Sequence, residues 1–157
     1  MRKQFEEHDM RRVVLLFTLA ERQNHRCCYC GHSMVRHTHQ NRRPTPRNAM
    51  TFDHVEPKSY GGAWGIENMV IACAQCNQIR GNMDAFAFYN LQQKWFRRDR
   101  ELCRRWHTLP WSTLRPLRTQ CLAVHARQLH GLGVRDMERA FRHFTLVRTY
   151  PHLLRAR

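Results

Sequence analysis

The sequence predicts a small α+β protein in which helices flank a short β-hairpin. Three observations support this class. The pairs Cys27-x-x-Cys30 and Cys73-x-x-Cys76 are separated by 42 residues. Two short strand patterns lie between the pairs, and apolar residues recur at helical spacing on both sides of them. A length of 157 residues suits one domain, or one small domain with a helical appendage.

The N-terminal segment, residues 1–24, is predicted to be a helix. Asp9 is a suitable N-terminal cap, and the pattern runs through about Asn24. Its apolar positions share one face: Val13, Leu16, Phe17 and Ala20. Residues 32–48 are polar and rich in Arg, His and Pro, so we expect an exposed insertion there.

The central segment, residues 25–92, is predicted to be the folded core. Residues 50–54 and 69–72 have strand patterns, and a loop rich in Pro and Gly joins them. The second Cys-x-x-Cys pair then begins a turn into a helix, which we expect to run to Tyr89 or beyond.

Residues 93–157 are predicted to form a basic, mostly helical extension. One apolar stripe comprises Trp95, Phe96, Leu102 and Trp106. Pro110 breaks the pattern, and further helices are expected over 117–129 and from Asp136 through Val147. The pairs Trp95/Trp106 and Phe141/Phe144 could stack on bases, but core packing is the commoner role of such stripes.

The charge of the chain points to a polyanionic partner. There are 27 Lys and Arg against 12 Asp and Glu, a net charge of +15, and all but three of the basic residues are arginine. Arginine suits phosphate groups, and nucleic acid is the commonest polyanion. The alternative is a GC-rich genome that uses arginine throughout. Because residues 83–157 carry fifteen basic and five acidic residues, we expect that half of the chain to bind DNA.

The seven cysteines indicate a metal site, since an odd number with two Cys-x-x-Cys pairs does not suit a disulfide framework. Two such knuckles can complete a tetrahedron of thiolates around a structural Zn²⁺. The predicted ligands are Cys27, Cys30, Cys73 and Cys76. Cys28 is too close to Cys30 to share a metal with it, and Cys103 and Cys121 are predicted to be small core residues. Histidines 32, 37 and 39 could bind a metal, although an exposed histidine-rich loop is the expected arrangement.

A second group of polar residues lies between and just after the knuckles. Asp53 and His54 are adjacent, Asn68 borders the second strand, and Asn77 follows Cys76. Phosphodiester hydrolysis needs an activated water and charge stabilisation on the phosphoryl oxygens. Histidine can take a proton at neutral pH, and carboxylate and amide oxygens suit a hard divalent cation. Each residue alone has ordinary structural roles, but the four in this order are a specific pattern.

Here the chain closely resembles the HNH endonuclease family, over about residues 22–83. The resemblance implies a ββα-metal core, with His54 as the general base. It also implies that Asp53 and Asn77 bind a catalytic Mg²⁺ or Mn²⁺, and that Asn68 braces the loop and orients the base. The third position of the literal H-N-H pattern is asparagine here, as in the nuclease domain of RNA-guided CRISPR effectors.

We therefore expect a DNA endonuclease that leaves 5′-phosphate and 3′-hydroxyl ends. Arg80 is a candidate phosphate contact. Lys58 is another, or equally a solvated loop lysine. The competing function is a zinc-stapled DNA-binding module without cleavage activity. A zinc domain for protein interaction is disfavoured by the charge.

Thiolate ligands require a reducing compartment, so we expect a cytoplasmic protein, bacterial or phage-encoded. No stretch is apolar enough for a membrane span. Arg11-Arg12 followed by an apolar run resembles a twin-arginine signal, but the run is short and Glu21-Arg22 closes it. One core holds one active centre, so a symmetric double-strand cut would usually need a dimer, and a homodimer or a larger nuclease complex is possible.

Overall fold

The computed structural model describes residues 2–37 and 44–129. Its helices are α1 (Arg2–Arg22), α2 (Ala74–Arg80), α3 (Ala85–Arg98), α4 (Arg100–Arg104) and α5 (Trp111–Leu129). Its strands are β1 (Met50–His54) and β2 (Met69–Cys73), with single 3-10 turns at Lys58–Tyr60 and Ile66–Asn68. None of the described helices combines the length and apolar character needed to cross a membrane.

Helix α1 begins at Arg2, so Asp9 lies inside it instead of capping it. The helix ends before Asn24 and His25, whose φ angles of 52° and 55° are left-handed. Just past its end, the buried Gln23 side chain pairs with the backbone of Ile71. Its Nε2 donates to Ile71 O and its Oε1 accepts from Ile71 N, both at 2.8 Å. This amide therefore fastens the end of α1 to the middle of β2.

The two strands form an antiparallel hairpin, as predicted. Asp53 pairs with Val70 and His54 with Met69, so the end of β1 meets the start of β2. Strand β1 has the predicted bounds, while β2 extends to Cys73. Every residue of β2 is buried, because α1 and α2 both pack against it. The hairpin thus places the Asp53–His54 pair at its loop end, where residues 55–68 connect the two strands.

The single long helix predicted after the second knuckle is two helices. Helix α2 ends at Arg80 because Gly81, with φ of 57°, takes a left-handed conformation. Asp84 then caps α3 by accepting a hydrogen bond from the Ala87 amide at 2.7 Å. Because α3 continues to Arg98, the predicted domain boundary at residue 92 falls inside a helix.

The segment after α3 packs against the core. Trp95, Phe96 and Trp106 are buried, which confirms the core prediction for this stripe. Helix α5 begins at Trp111, immediately after Pro110, although the sequence predicted its start near Leu117. The predicted helix from Asp136, and the pair Phe141/Phe144, lie outside the described residues.

The predicted insertion at 32–48 is only partly exposed. Met34 is buried, and Val35 forms a β-bridge with Ala49. Residues 38–43, which include His39, lie outside the described part of the chain. The chain therefore contacts the core both before residue 38, at Met34 and Val35, and after residue 43, at Ala49.

Candidate metal centre and active site

Four cysteine sulfurs converge where the hairpin meets α2. The Sγ atoms of the four predicted ligands all lie within 4.8 Å of one another: Cys27, Cys30, Cys73 and Cys76. Those of Cys30 and Cys73 are 3.9 Å apart. A tetrahedral Zn²⁺ with Zn–S bonds of about 2.3 Å would separate its sulfurs by about 3.8 Å. The cluster thus fits a structural zinc ion, and Cys28, buried in the same knuckle, is not part of it.

Several N–H groups donate to these sulfurs. The Cys73 amide lies 3.3 Å from Cys27 Sγ. Gln92 Nε2 and Trp106 Nε1 each lie 3.2 Å from Cys76 Sγ. Such donors stabilise thiolates and orient the ligands of a metal. Because Gln92 is on α3 and Trp106 follows α4, the C-terminal half of the chain completes the surroundings of the cluster.

Thiol–thiol hydrogen bonds already favour the ionised form of two of the sulfurs. Burial raises the pKa of Cys27, but hydrogen bonds from neighbouring thiols, led by Cys28, bring it well below its ordinary value. The hydrogen bond with Cys27 raises the pKa of Cys30, but those with Cys73 and Cys76 lower it to about 5. Burial raises the pKa of Cys73 and of Cys76. A bound Zn²⁺ would hold all four as thiolates.

Cys103 and Cys121 lie outside the cluster. Burial raises the pKa of Cys121 to about 12, as expected for an inert core thiol. Cys103 is half-buried. His32 departs from the expected exposed loop: its ring packs at 5.3 Å from that of His107, and a hydrogen bond with Cys30 raises its pKa.

His54 ends β1 with a ring nitrogen that has no partner. Its Nε2 is buried and makes no hydrogen bond within the described part of the chain. The imidazole packs against Trp64, with ring centroids 5.2 Å apart. Burial lowers the pKa of His54, and the cations of Lys58 and Arg80 lower it further. The ring is therefore neutral near pH 7, with a nitrogen able to accept a proton.

Asp53 points to the interior and is held by two donors. Tyr29 Oη donates to its Oδ2 at 2.6 Å, and Arg80 Nη1 donates to its Oδ1. Burial raises the pKa of Asp53, against the opposing effects of Arg80 and Tyr29. Burial alone would lower the pKa of Arg80, but Asp53 raises it above its ordinary value. The two groups form a buried ion pair beside His54.

This pairing corrects the prediction for Arg80. Its side chain is 2% exposed, and its Nη2 donates to Val55 O at 2.9 Å. A guanidinium so placed cannot contact a phosphate at the surface. Arg80 instead connects α2 to Asp53 and Val55, the residues before and after His54 in the chain.

Asn77, the other predicted metal ligand, faces β1 from the first turns of α2. Its Nδ2 donates to Thr51 Oγ1 at 3.1 Å and to Phe52 O at 2.9 Å. No described residue donates to its Oδ1. An ionised carboxylate has about four acceptor positions, and Asp53 uses two of them on Tyr29 and Arg80. The donor set, an amide oxygen and a carboxylate with spare acceptor positions, therefore fits Mg²⁺ or Mn²⁺, which keep water and phosphate ligands.

Asn68 closes the loop that follows His54. Its Oδ1 accepts from the Glu56 amide at 2.8 Å, and its Nδ2 donates to Glu56 O at 3.1 Å and Ala63 O at 2.9 Å. Gly62 lies against the same backbone, where a Cβ atom would be 1.9 Å from Glu56 O. The described hydrogen bonds of the Asn68 side chain thus go to the segment after His54 and not to His54 itself.

Sequence reasoning missed four residues that shape these sites. Tyr29 lies inside the first knuckle, and its hydroxyl donates to Asp53. Its position between the cysteines was a signal that it lies close to the site. Trp64 packs on His54, while Lys58, a predicted nucleic-acid contact, is exposed with its Nζ 5.1 Å from the Trp64 ring. No motif marks Gln92 or Trp106, because their role depends on how the C-terminal helices pack.

The comparison with protein families agrees with this geometry. The family model for the HNH endonuclease matches residues 27–83, about a third of the chain. This segment is an HNH domain. It holds both knuckles, the hairpin and α2, the ββα-metal arrangement, and it ends just before α3. An HNH domain indicates a nuclease or DNA-binding role, with nucleic acid as the substrate. No curated protein and no solved structure matches the chain.

Proposed function

We propose that the chain is a metal-dependent endonuclease that hydrolyses DNA phosphodiester bonds to 5′-phosphate and 3′-hydroxyl ends. The observation that carries the proposal is the buried, unpartnered Nε2 of His54. A buried polar atom without a protein partner is available to a water molecule or a substrate group. In an HNH domain, a histidine nitrogen next to Asp53 in the chain supports the role of a proton acceptor.

His54 is the proposed general base. Its neutral Nε2 takes a proton from a water molecule as the water oxygen bonds to phosphorus. The bond from phosphorus to the 3′ oxygen breaks, and that oxygen takes a proton from solvent. A lowered pKa keeps His54 in the accepting form at neutral pH.

Asp53 and Asn77 are the proposed ligands of the divalent cation. When bound, Mg²⁺ or Mn²⁺ supplies positive charge to the phosphoryl oxygens. The protein fixes both ligands in advance: Tyr29 and Arg80 hold the Asp53 carboxylate, and the backbone of Phe52 holds the Asn77 amide. Arg80 also neutralises part of the Asp53 charge, so affinity for the cation should depend on phosphate as a further ligand.

The remaining predicted residues have supporting roles. Asn68 holds the loop after His54, and Lys58 is the proposed phosphate contact at the surface. The cysteine cluster, with its Zn²⁺, holds the knuckle to α2 and does no chemistry. Because one domain offers one His54, cleavage of both strands requires two copies or two successive events.

A DNA-binding module without cleavage is the second candidate. One observation favours it: both oxygens of Asp53 already accept hydrogen bonds from protein groups. In that case the Asp53–Arg80 pair would be purely structural, and the chain would bind DNA through its positive charge.

End-labelled duplex DNA separates the two candidates. We expect cleavage with Mg²⁺ or Mn²⁺, and products that a ligase can rejoin. His54→Ala and Asn77→Ala should each cut at least about 100-fold more slowly while retaining DNA affinity. Gln78→Ala is the matched control, because Gln78 is exposed on the same helix. Wild-type protein that binds DNA but never cuts it with any divalent metal would establish the binding module.

A further inference from the structure

Trp64 is a large aromatic residue at the surface beside the candidate base. Its side chain remains 43% exposed, although its ring packs near His54 and lies 5.5 Å from that of Phe52. It comes from the loop between the two strands. One edge of the indole thus belongs to the site, and much of the rest faces solvent.

Two cations lie over this indole. The guanidinium carbon of Arg12 is 5.3 Å from the ring centroid and Lys58 Nζ is 5.1 Å from it. Among the side chains that the structure describes, residues 10–37 and 44–124, neither forms an ion pair with an acidic group. Their charges are therefore available to an anion. Arg12 belongs to α1, outside the segment that matches the HNH family.

An exposed aromatic ring between unpaired cations is the combination that binds single-stranded nucleic acid. Bases of any kind stack on the ring, and the cations contact the backbone. In a duplex, each base face is covered by its neighbours in the stack. A base can reach an indole only where the strand is unpaired or the base has left the helix.

We propose that Trp64, Arg12 and Lys58 form a docking surface for an unpaired DNA segment, in which one base displaces a cation from over the indole and stacks there, while the adjacent phosphates bind the two cations. DNA binding at this surface does not depend on the nuclease function, but the preferred substrate does. Since Trp64 contacts His54, the docked strand would present its phosphate to His54. DNA with unpaired nucleotides at the cut would then be the preferred substrate class.

Binding of one oligonucleotide as a single strand and as a duplex tests the surface. Zinc-loaded protein is used without added Mg²⁺ or Mn²⁺, so that nothing is cut. We expect Trp64→Ala to weaken single-strand binding by about tenfold or more and duplex binding much less, while Trp64→Phe retains most of the affinity. Arg12→Gln should also weaken single-strand binding. Arg104→Gln is its matched control, because Arg104 is exposed but paired with Glu101.

Intrinsic fluorescence gives a second measurement that does not depend on the stability of Trp64→Ala. Trp95 and Trp106 are 7% and 0% exposed, so a stacked base should quench mainly Trp64. The quenching should disappear in Trp64→Phe and persist in Trp111→Phe. The proposal is overturned if Trp64→Phe is still quenched, or if Trp64→Ala, with its zinc retained, binds the single strand as wild type does. Equal weakening of single-strand and duplex binding also overturns it.

The two proposals can fail separately. Trp64-dependent binding by a protein that never cuts DNA supports the docking surface and removes the nuclease. Cleavage that depends on His54 but not on Trp64 supports the nuclease and removes the docking surface.

Discussion

Tyr29 Oη lies 2.6 Å from Asp53 Oδ2, in the interior of the HNH domain. Tyr29 is part of the first cysteine knuckle, between Cys28 and Cys30, and Asp53 is next to the candidate base. Burial raises the pKa of Tyr29, so its hydroxyl stays protonated and donates. This hydrogen bond therefore joins the first cysteine knuckle to the candidate active site.

Tyr29→Phe removes this bond and keeps the aromatic ring, which packs 4.9 Å from that of Phe88. We expect a loss of about 1.5–3 kcal/mol in the free energy of unfolding, because the acceptor is a buried charged group. Urea unfolding of zinc-loaded protein measures it. Tyr60→Phe, at an exposed tyrosine, should change stability by less than about 0.5 kcal/mol. Equal effects of the two substitutions would show that the Tyr29–Asp53 bond contributes little.

Zinc content distinguishes the cysteines of the first knuckle. Cys27→Ala should lose the metal and much of the folded structure, because metal binding and folding are coupled. Cys28→Ala should retain about one zinc ion per chain, since Cys28 lies outside the cluster. Metal analysis and circular dichroism check both variants. Zinc loss from Cys28→Ala with retention in Cys27→Ala would reverse the ligand assignment.

The loop after His54 depends on a glycine. Gly62→Ala would place a methyl group against Glu56 O, which is backbone and cannot move aside cheaply. We expect a loss of about 1–3 kcal/mol in stability and slower cleavage. In Gly65→Ala the new methyl group meets only the flexible carboxylate of Glu67, so stability and cleavage should change little. If the two variants behave alike, close packing of this loop does not matter to the site.

The pH dependence of cleavage should report on His54. Burial, Lys58 and Arg80 lower its pKa below the ordinary histidine value of about 6.5. The neutral form is the base, so cleavage should be fully active above the lowered pKa and fall as pH drops through it. Cleavage rates at saturating DNA, with zinc content checked at each pH, give the midpoint. A midpoint above about 7 would contradict the assigned environment of His54.

The sequence predicted the hairpin, the four-cysteine cluster and the position of His54 because each depends on local pattern or on a motif. Strand β1 has the predicted bounds, and Cys27 was correctly preferred to Cys28. The division of the helix after Cys76 was missed, although Gly81 and Asp84 supply a C-terminal and an N-terminal signal. The helical spacing of the apolar residues that follow them favours one continuous helix instead.

Other features could not be predicted, because they arise from contacts distant in sequence. Arg80 looked like a phosphate contact, but Asp53, 27 positions away in sequence, draws it into the interior. Gln92 and Trp106 reach Cys76 only after α3 and the following segment fold back. The arrangement of Trp64 under Arg12 likewise depends on where α1 packs.

Cleavage of supercoiled plasmid tests the central claim most directly. Wild-type protein with Mg²⁺ or Mn²⁺ should convert the plasmid to nicked or linear DNA. The same protein without divalent metal, and His54→Ala with it, should leave the plasmid supercoiled. A wild-type protein that holds its zinc and binds the plasmid but leaves it intact, or a His54→Ala variant that cuts as fast as wild type, would contradict the assignment of His54 as the base of a nuclease.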